Sequence, residues 1–117
     1  MLRASDHGPI TRVRLARTFF GRPLHEVSAY LVGGVLIDTG PPAVAGELAA
    51  WLGPGGPGRA GRAGRQLEAI VNTHHHEDHV GADALLARRL GVPVYALAAT
   101  VEILARQRRI PPYRALV

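Results

Sequence analysis

The run from Thr73 to His79 contains four of the six histidines of the chain. It reads Thr-His-His-His-Glu-Asp-His, so a carboxylate stands immediately before the last imidazole. Imidazole nitrogens and carboxylate oxygens are ligands that zinc and similar divalent cations accept in proteins. A hydrophobic core has no use for so many of these groups side by side. The run therefore predicts a metal site.

The spacing within the run predicts which side chains act together. In an extended backbone alternate side chains share a face, so His74 and His76 point the same way and can bind one ion. Asp78 and His79 stand where the chain turns into a helix, and from there they reach a second position beside the first. We therefore expect two half-sites, one made by His74 and His76 and the other by Asp78 and His79.

Other interpretations of this run remain open at the level of sequence. Asp78 precedes an apolar helix and is also a good candidate for its N-cap. His75 and Glu77 face away from the first half-site, so they are expected to be structural or exposed to solvent. His7 and His25 lie far from the run in sequence and are expected at the surface.

The pattern around the run predicts strands that alternate with helices. The histidine run follows the carboxyl end of a short buried strand, where α/β enzymes usually place their chemistry. The order β-β-β-α-β-α-β-α favours an α/β sheet packed by helices. The predicted strands are Ile10–Thr18, Val27–Val32, Val35–Ile37, Leu67–Val71 and Val92–Tyr95, and the predicted helices are Ala43–Leu52, Ala82–Leu90 and Thr100–Arg108, the last capped by Thr100.

Length and composition limit the classes of protein to consider. The 117 residues are 47% hydrophobic and contain no cysteine, which predicts one folded domain over residues 1–117 with no thiolate ligand. No apolar run approaches the roughly 20 residues of a membrane span, and the N-terminus lacks the apolar segment of a signal peptide. We therefore expect no membrane association and a cytoplasmic location. Residues 53–65, rich in Gly, Pro and Arg, predict a flexible surface loop.

The charge pattern gives little support to nucleic-acid binding. The net charge is +5, and all 14 cations are arginine. A basic patch for nucleic acid would normally use lysine as well. We therefore interpret the arginine clusters as surface charges, and nucleic acid is a disfavoured partner.

At this point the sequence resembles a known family. The string Thr73-His74-x-His76-x-Asp78-His79 resembles the HxHxDH motif of the metallo-β-lactamase-fold hydrolases. Upstream, Tyr30-Leu31-Val32 and the segment from Val35 to Gly40 resemble the hairpin of that family, which ends in LIDTG. The likeness covers roughly residues 10 to 105, including the helix and strand after the motif.

The resemblance implies the first half of a four-layer αββα fold with two metal ions at one edge. His74 and His76 would bind the first ion, and Asp78 and His79 the second. Asp38 would hydrogen-bond a ligand from behind, although it can equally be a turn residue that ends a strand. Zinc is the expected metal, with iron or manganese also acceptable to these ligands. A metal pair activates a water for attack on an ester, thioester, amide or phosphodiester, and Asp78 would orient that water as the catalytic residue.

The sequence also departs from the family pattern. Family members carry later ligands, namely a further histidine, a bridging aspartate and a last histidine, but no histidine follows His79 here. The later carboxylates are Asp83 and Glu102, and neither matches a family motif. The chain is also about half the family's usual length. We therefore expect a truncated N-terminal half that binds metal weakly unless a homodimer or a complementing C-terminal half completes it.

Three functions follow from these observations. The string THHHEDHVGA favours a metal-dependent hydrolase of the glyoxalase-II-like branch, acting on a small-molecule substrate of unknown identity. The arginine excess would suit a nucleic-acid processing nuclease of the same fold. The missing ligands would suit a non-catalytic fragment that binds metal weakly or assembles with a second chain.

Overall fold

The computed structural model describes residues 1–60, 66–107 and 112–116. Within them a seven-stranded mixed sheet follows the chain order, antiparallel from β1 to β4 and parallel from β4 to β7. The strands are β1 Leu2–His7, β2 Ile10–Phe19, β3 Arg22–Val32, β4 Val35–Ile37, β5 Ala69–Val71, β6 Val94–Ala96 and β7 Tyr113–Ala115. The α-helices are α1 Ala45–Leu52, α2 Pro57–Ala60, α3 Glu77–Val80, α4 Asp83–Leu90 and α5 Ala98–Arg106, with a 3-10 turn at Pro42–Val44 before α1. The predicted mixed α/β class is confirmed.

The antiparallel half of the sheet is larger than the sequence predicted. The hairpin between β3 and β4 forms as expected across Gly33 and Gly34. However, β3 begins at Arg22, so most of the segment 19–26, predicted as a turn, is strand. The turn occupies only Phe20 and Gly21, which both have positive φ. Pro23 is tolerated within the strand, where it pairs with Thr18 of β2.

The end of α4 agrees with the sequence-based prediction, whereas the start of α5 differs from it. Gly91 ends α4 in the left-handed conformation, with φ of 65°, as its position predicted. The last helix begins at Ala98, so the prediction that Thr100 caps it was wrong. The first turn closes earlier because the amide of Val101 bonds the carbonyl of Leu97. Within the predicted loop 53–65, Pro57–Ala60 forms α2, while residues 61–65 lie outside the described residues.

The core lies between one face of the sheet and the pair α1 and α4. Leu48 of α1 and Leu86 of α4 are fully buried against strand residues such as Leu36 and Ile70. Each such side chain contributes about 1.5–3 kcal/mol of burial free energy. The opposite face carries apolar side chains that are only partly covered. They include Tyr30, Val32, Ile37, Val71 and Tyr95.

The parallel pairing of β4 with β5 creates the edge at which the histidine run lies. Because both strands end at the same edge, Asp38 and the segment after Val71 become neighbours, and the amide of Asp38 bonds the carbonyl of Val71 at 2.9 Å. The segment from α3 to α4 then closes onto this edge. The amide of Thr39 donates to the carbonyl of His79 at 2.8 Å, and the amide of Gly81 donates to the carbonyl of Gly40 at 2.9 Å. Among the helices of residues 1–60, 66–107 and 112–116, none has both the length and the apolar character that crossing a membrane requires.

The close approach at Gly81 gives a testable prediction. A Cβ at this position would overlap the ring and nitrogen of Pro42. We expect Gly81→Ala to lower the free energy of unfolding by about 1–3 kcal/mol, the usual effect of overpacking. The matched control is Gly46→Ala on α1, where the new Cβ meets nothing within 4 Å and helix propensity should raise stability by about 0.5–1 kcal/mol. Urea unfolding measures both variants, and equal stability of the two would contradict the prediction.

Candidate metal centre

Five side chains that could bind or support a metal gather at this edge. The donor atoms of His74, His76 and Asp78 lie within 4.8 Å of one another, and so do those of Asp38, His74 and His79. The structure thus brings together every residue predicted for the site. The two groups overlap at His74, whereas the spacing had suggested two separate pairs.

Asp38 is the residue around which the others are arranged. Its side chain is buried, and its backbone is held in the left-handed region with φ of 64°. One carboxylate oxygen accepts the amide N–H of Thr73 at 2.8 Å. The other accepts the Thr73 hydroxyl at 2.7 Å and Nδ1 of His79 at 3.2 Å. Asp38 therefore fixes both the strand end that carries the run and the last imidazole in it.

This network also determines which imidazole nitrogens face outward. The Thr73 hydroxyl has one proton, which it donates to Asp38, so its oxygen accepts Nδ1–H of His74 at 2.8 Å. In His79 the proton on Nδ1 is likewise held by Asp38. In the neutral form of both rings this leaves Nε2 as the nitrogen that can bind a cation, which is the usual arrangement of metal-binding histidines.

The environment favours the protonation states that bind a cation. Burial lowers the pKa of His74, and the neighbouring His79 lowers it further. The hydrogen bond from His25 lowers the pKa of Asp78 below its ordinary value. A neutral imidazole and an ionised carboxylate are the ligand forms of these residues.

His25 lies at the surface as expected, with its side chain 73% exposed, but it also contacts the site. Its Nε2 donates to Oδ2 of Asp78 at 3.0 Å across a separation of 53 residues. Nothing in the sequence around His25 indicates this contact, since it depends on how β3 pairs with β2. Glu77 is exposed as expected, and His75 is half-buried with its ring 5.0 Å from that of His76.

An open cleft of about 670 Å³ lies beside these residues. Arg17 and His25 line it from the β2–β3 hairpin, and Pro42 lines it from the turn before α1. His76 and Asp78 form the part of the wall that belongs to the histidine run. A small molecule in this cleft would therefore touch the candidate ligands.

A second buried carboxylate lies behind the site. Asp83 is 1% exposed and accepts hydrogen bonds from the hydroxyl of Thr39 at 2.8 Å, the amide of Asn72 at 3.1 Å and the hydroxyl of Tyr113 at 2.9 Å. It thereby joins the ends of β4 and β5 to α4 and β7. Burial raises its pKa to about 6 despite these three donors. Asp83 matched no motif in the sequence, and its role in the structure is to connect these elements.

Histidines and carboxylates clustered at the carboxyl edge of a mixed sheet define an α/β protein with a candidate metal centre. A family model described as the metallo-beta-lactamase superfamily matches residues 22–116. The chain belongs to that superfamily, whose members usually bind metal ions, typically zinc. Membership suggests a metal-dependent hydrolase.

Solved structures show the same fold. The metallo-beta-lactamase from Pontibacter korlensis is 22% identical, with a TM-score of 0.73 over 100% of this chain and 54% of that one. The enzyme of the same description from Hirschia baltica is 18% identical, with a TM-score of 0.73 over 99% of this chain and 52% of that one. The mono-zinc form of FIM-1 from Pseudomonas aeruginosa is 17% identical, with a TM-score of 0.73 over 99% and 50%. The chain spans about half the length of these proteins.

The buried Asp83 predicts a pH dependence of stability. Because its pKa rises from 3.8 to about 6 on folding, the folded state holds the proton more tightly than the unfolded state does. Its contribution to stability is therefore fully present below about pH 4 and is lost as the pH rises through about 6, a loss of about 3 kcal/mol. We expect the unfolding free energy of the parent, relative to Asp83→Asn, to fall by about 2–2.5 kcal/mol, most of that amount, between about pH 4 and about pH 7.

Urea titrations with chelator present measure this difference. Glu102→Gln, which removes an exposed carboxylate on α5, is the control and should show no comparable change. A difference between the parent and Asp83→Asn that stays constant with pH would contradict the prediction.

Proposed function

We propose that this chain acts in metal-dependent hydrolysis of an ester or thioester, with zinc held by His74, His76, Asp78 and His79. The observation that carries the proposal is the hydrogen-bond network that leaves Nε2 of His74 and His79 free toward the same edge. Asp38, which holds that network from behind, is the supporting residue. Fold likeness at these identities does not choose between branches of the superfamily. The proposed substrate class therefore rests on the likeness of THHHEDHVGA to the glyoxalase-II-like branch.

The donor set suits the proposed metal. Two ligands of one zinc ion lie no more than about 4.2 Å apart, since each stands about 2.1 Å from it. The donor atoms of His74, His76 and Asp78 already lie within 4.8 Å of one another. Small side-chain rotations would bring them to binding distance. Iron or manganese would be accepted by the same nitrogen and oxygen donors.

The residues of the chain have distinct roles in the proposed reaction. Bound zinc would supply a Lewis acid and a water of lowered pKa. Asp78, whose pKa is lowered by its contact with His25, would orient that water toward the substrate. Asp38 would hold the imidazole of His79 in position. The cleft beside His76 and Asp78 would receive the scissile group.

We also propose that a second polypeptide completes the site. Divided between the two ions that the family resemblance implies, the four proposed ligands give each zinc ion two, fewer than the three protein ligands that catalytic zinc normally has. The sequence has no further histidine after His79. The partly exposed apolar face with Tyr30 and Val32, which are 40% and 38% exposed, is a surface that such a partner would cover. The partner would be a second copy of the chain or a polypeptide that carries the missing ligands. A non-catalytic metal-binding role is the alternative that the missing ligands favour.

Zinc titration tests the site. We expect a verified monomer to bind zinc more weakly than about 1 µM, because its ligand set is incomplete. His74→Ala should abolish the binding, since His74 belongs to both donor groups. His7→Ala is the control, because His7 is exposed and its ring bonds Ser5, far from the run in sequence. Unchanged affinity in His74→Ala would refute the site, and submicromolar binding by the monomer would refute the need for a partner.

Activity assays test the reaction. We expect the zinc-loaded chain, at concentrations that favour assembly, to hydrolyse thioester or lactone substrates in preference to β-lactams and phosphodiesters. Asp78→Asn should lower the rate by about tenfold or more, because it removes the group that orients the water. Preferential phosphodiester cleavage would instead support the nuclease. No turnover of any substrate would support the non-catalytic role.

A further inference from the structure

The strand that carries His25 contains a bulge at that residue. Leu15 of β2 pairs with Val27 of β3, but Arg17 pairs with Leu24. The interval is two residues long on β2 and three on β3, so β3 has one extra residue beside His25. A bulge of this kind bends the strand locally and changes the direction of a side chain, and bulges occur often next to active sites.

The backbone of His25 adopts a conformation that usually belongs to glycine. Its φ is 53°, in the left-handed region, where a Cβ is unfavourable. Glycine at the first position of such a bulge would remove this strain. Strain of this kind persists where the surrounding structure holds the residue in place, and it is concentrated at functional sites. A role of the His25 side chain would account for the absence of glycine at this position.

That side chain contacts one residue of the candidate metal centre. Nε2 of His25 donates to Oδ2 of Asp78 at 3.0 Å, and the same oxygen lies 3.8 Å from Nε2 of His79. The next residue of the bulge, Glu26, is held by two hydrogen bonds from Arg14, at 2.6 and 3.1 Å. The bulge is thus tied to β2 on one side while His25 reaches the histidine run on the other.

The geometry separates a supporting role from a ligand role. Among the described residues, His25 does not belong to any group of three donor atoms within 4.8 Å of one another. Its nitrogen meets a single carboxylate oxygen. This hydrogen bond restricts rotation of the carboxylate, and Oδ2, which also lies near His79, keeps a second lone pair that can bind a cation.

We propose that His25 is a positioning residue that orients the Asp78 carboxylate toward the metal. The proposal rests on the proposed function, because Asp78 is taken as a ligand. Carboxylates that bind metals are in turn hydrogen-bonded, and loss of such a partner typically lowers metal affinity by about 10–100-fold. The contact also links the β2–β3 hairpin, which lines the cleft, to the metal centre.

The test compares metal affinity with stability in the same variants. His25→Gly should raise the midpoint of urea unfolding in chelator, because it removes the left-handed strain, yet weaken zinc binding by about tenfold or more. His25→Asn should restore part of that affinity, since asparagine tolerates the left-handed region and its amide can donate to Asp78. The visible spectrum of the cobalt-substituted protein should change in His25→Gly and return toward that of the parent in His25→Asn.

Phe20→Gly is the matched control. Phe20 lies at the turn of the same hairpin with φ of 48° and is 91% exposed. Its replacement should relieve the same kind of strain and leave zinc affinity unchanged. If His25→Gly has the same zinc affinity and the same cobalt spectrum as the parent, the positioning role alone is overturned. Failure of the parent to bind zinc would overturn the proposed function together with this role.

Discussion

The buried carboxylate of Asp38 is the constraint on which the candidate metal centre depends. It stands where β4 ends, and its three hydrogen bonds reach Thr73 after β5 and His79 in α3. A carboxylate taken out of water needs such donors, because leaving it without them would cost several kcal/mol. Satisfying Asp38 therefore forces the histidine run against the sheet edge, and the same bonds set the tautomers of His74 and His79. Folding therefore also orients the candidate ligands.

A second carboxylate gives this edge its connection to the core. Asp83 accepts hydrogen bonds from Thr39, Asn72 and Tyr113, so it connects the strand ends that carry the site. Because burial raises the pKa of Asp83, ionising this carboxyl at neutral pH lowers the free energy of unfolding. An apolar residue would avoid this cost but would leave the buried hydroxyl of Thr39 and the amide of Asn72 without their acceptor. The two aspartates thus act on opposite sides of the same strand ends.

The features that the sequence predicted are those encoded by local patterns. The hairpin at Gly33 and Gly34, the end of α4 at Gly91 and the histidine run each depend on residues close together in the chain. The edge strands β1 and β7 could not be predicted, because exposed edges lack the alternation of apolar residues that marks a strand. The bulge at His25 was likewise hidden, since it exists only in the register between two strands. The role of Asp83 depends on partners from three separate elements.

Backbone strain provides an independent argument for where function lies. Among the described residues, three that are not glycine have positive φ, namely Phe20, His25 and Asp38. Phe20 is explained by its place in a tight turn. The other two are far apart in sequence, yet each directs its side chain to the histidine run, Asp38 to His79 and His25 to Asp78. Glycine would relieve both positions, and neither carries it. Left-handed backbone at these two positions lowers the stability of the fold, and it places one carboxylate and one imidazole at this edge. Packing alone does not explain such strain. It is expected at a functional site.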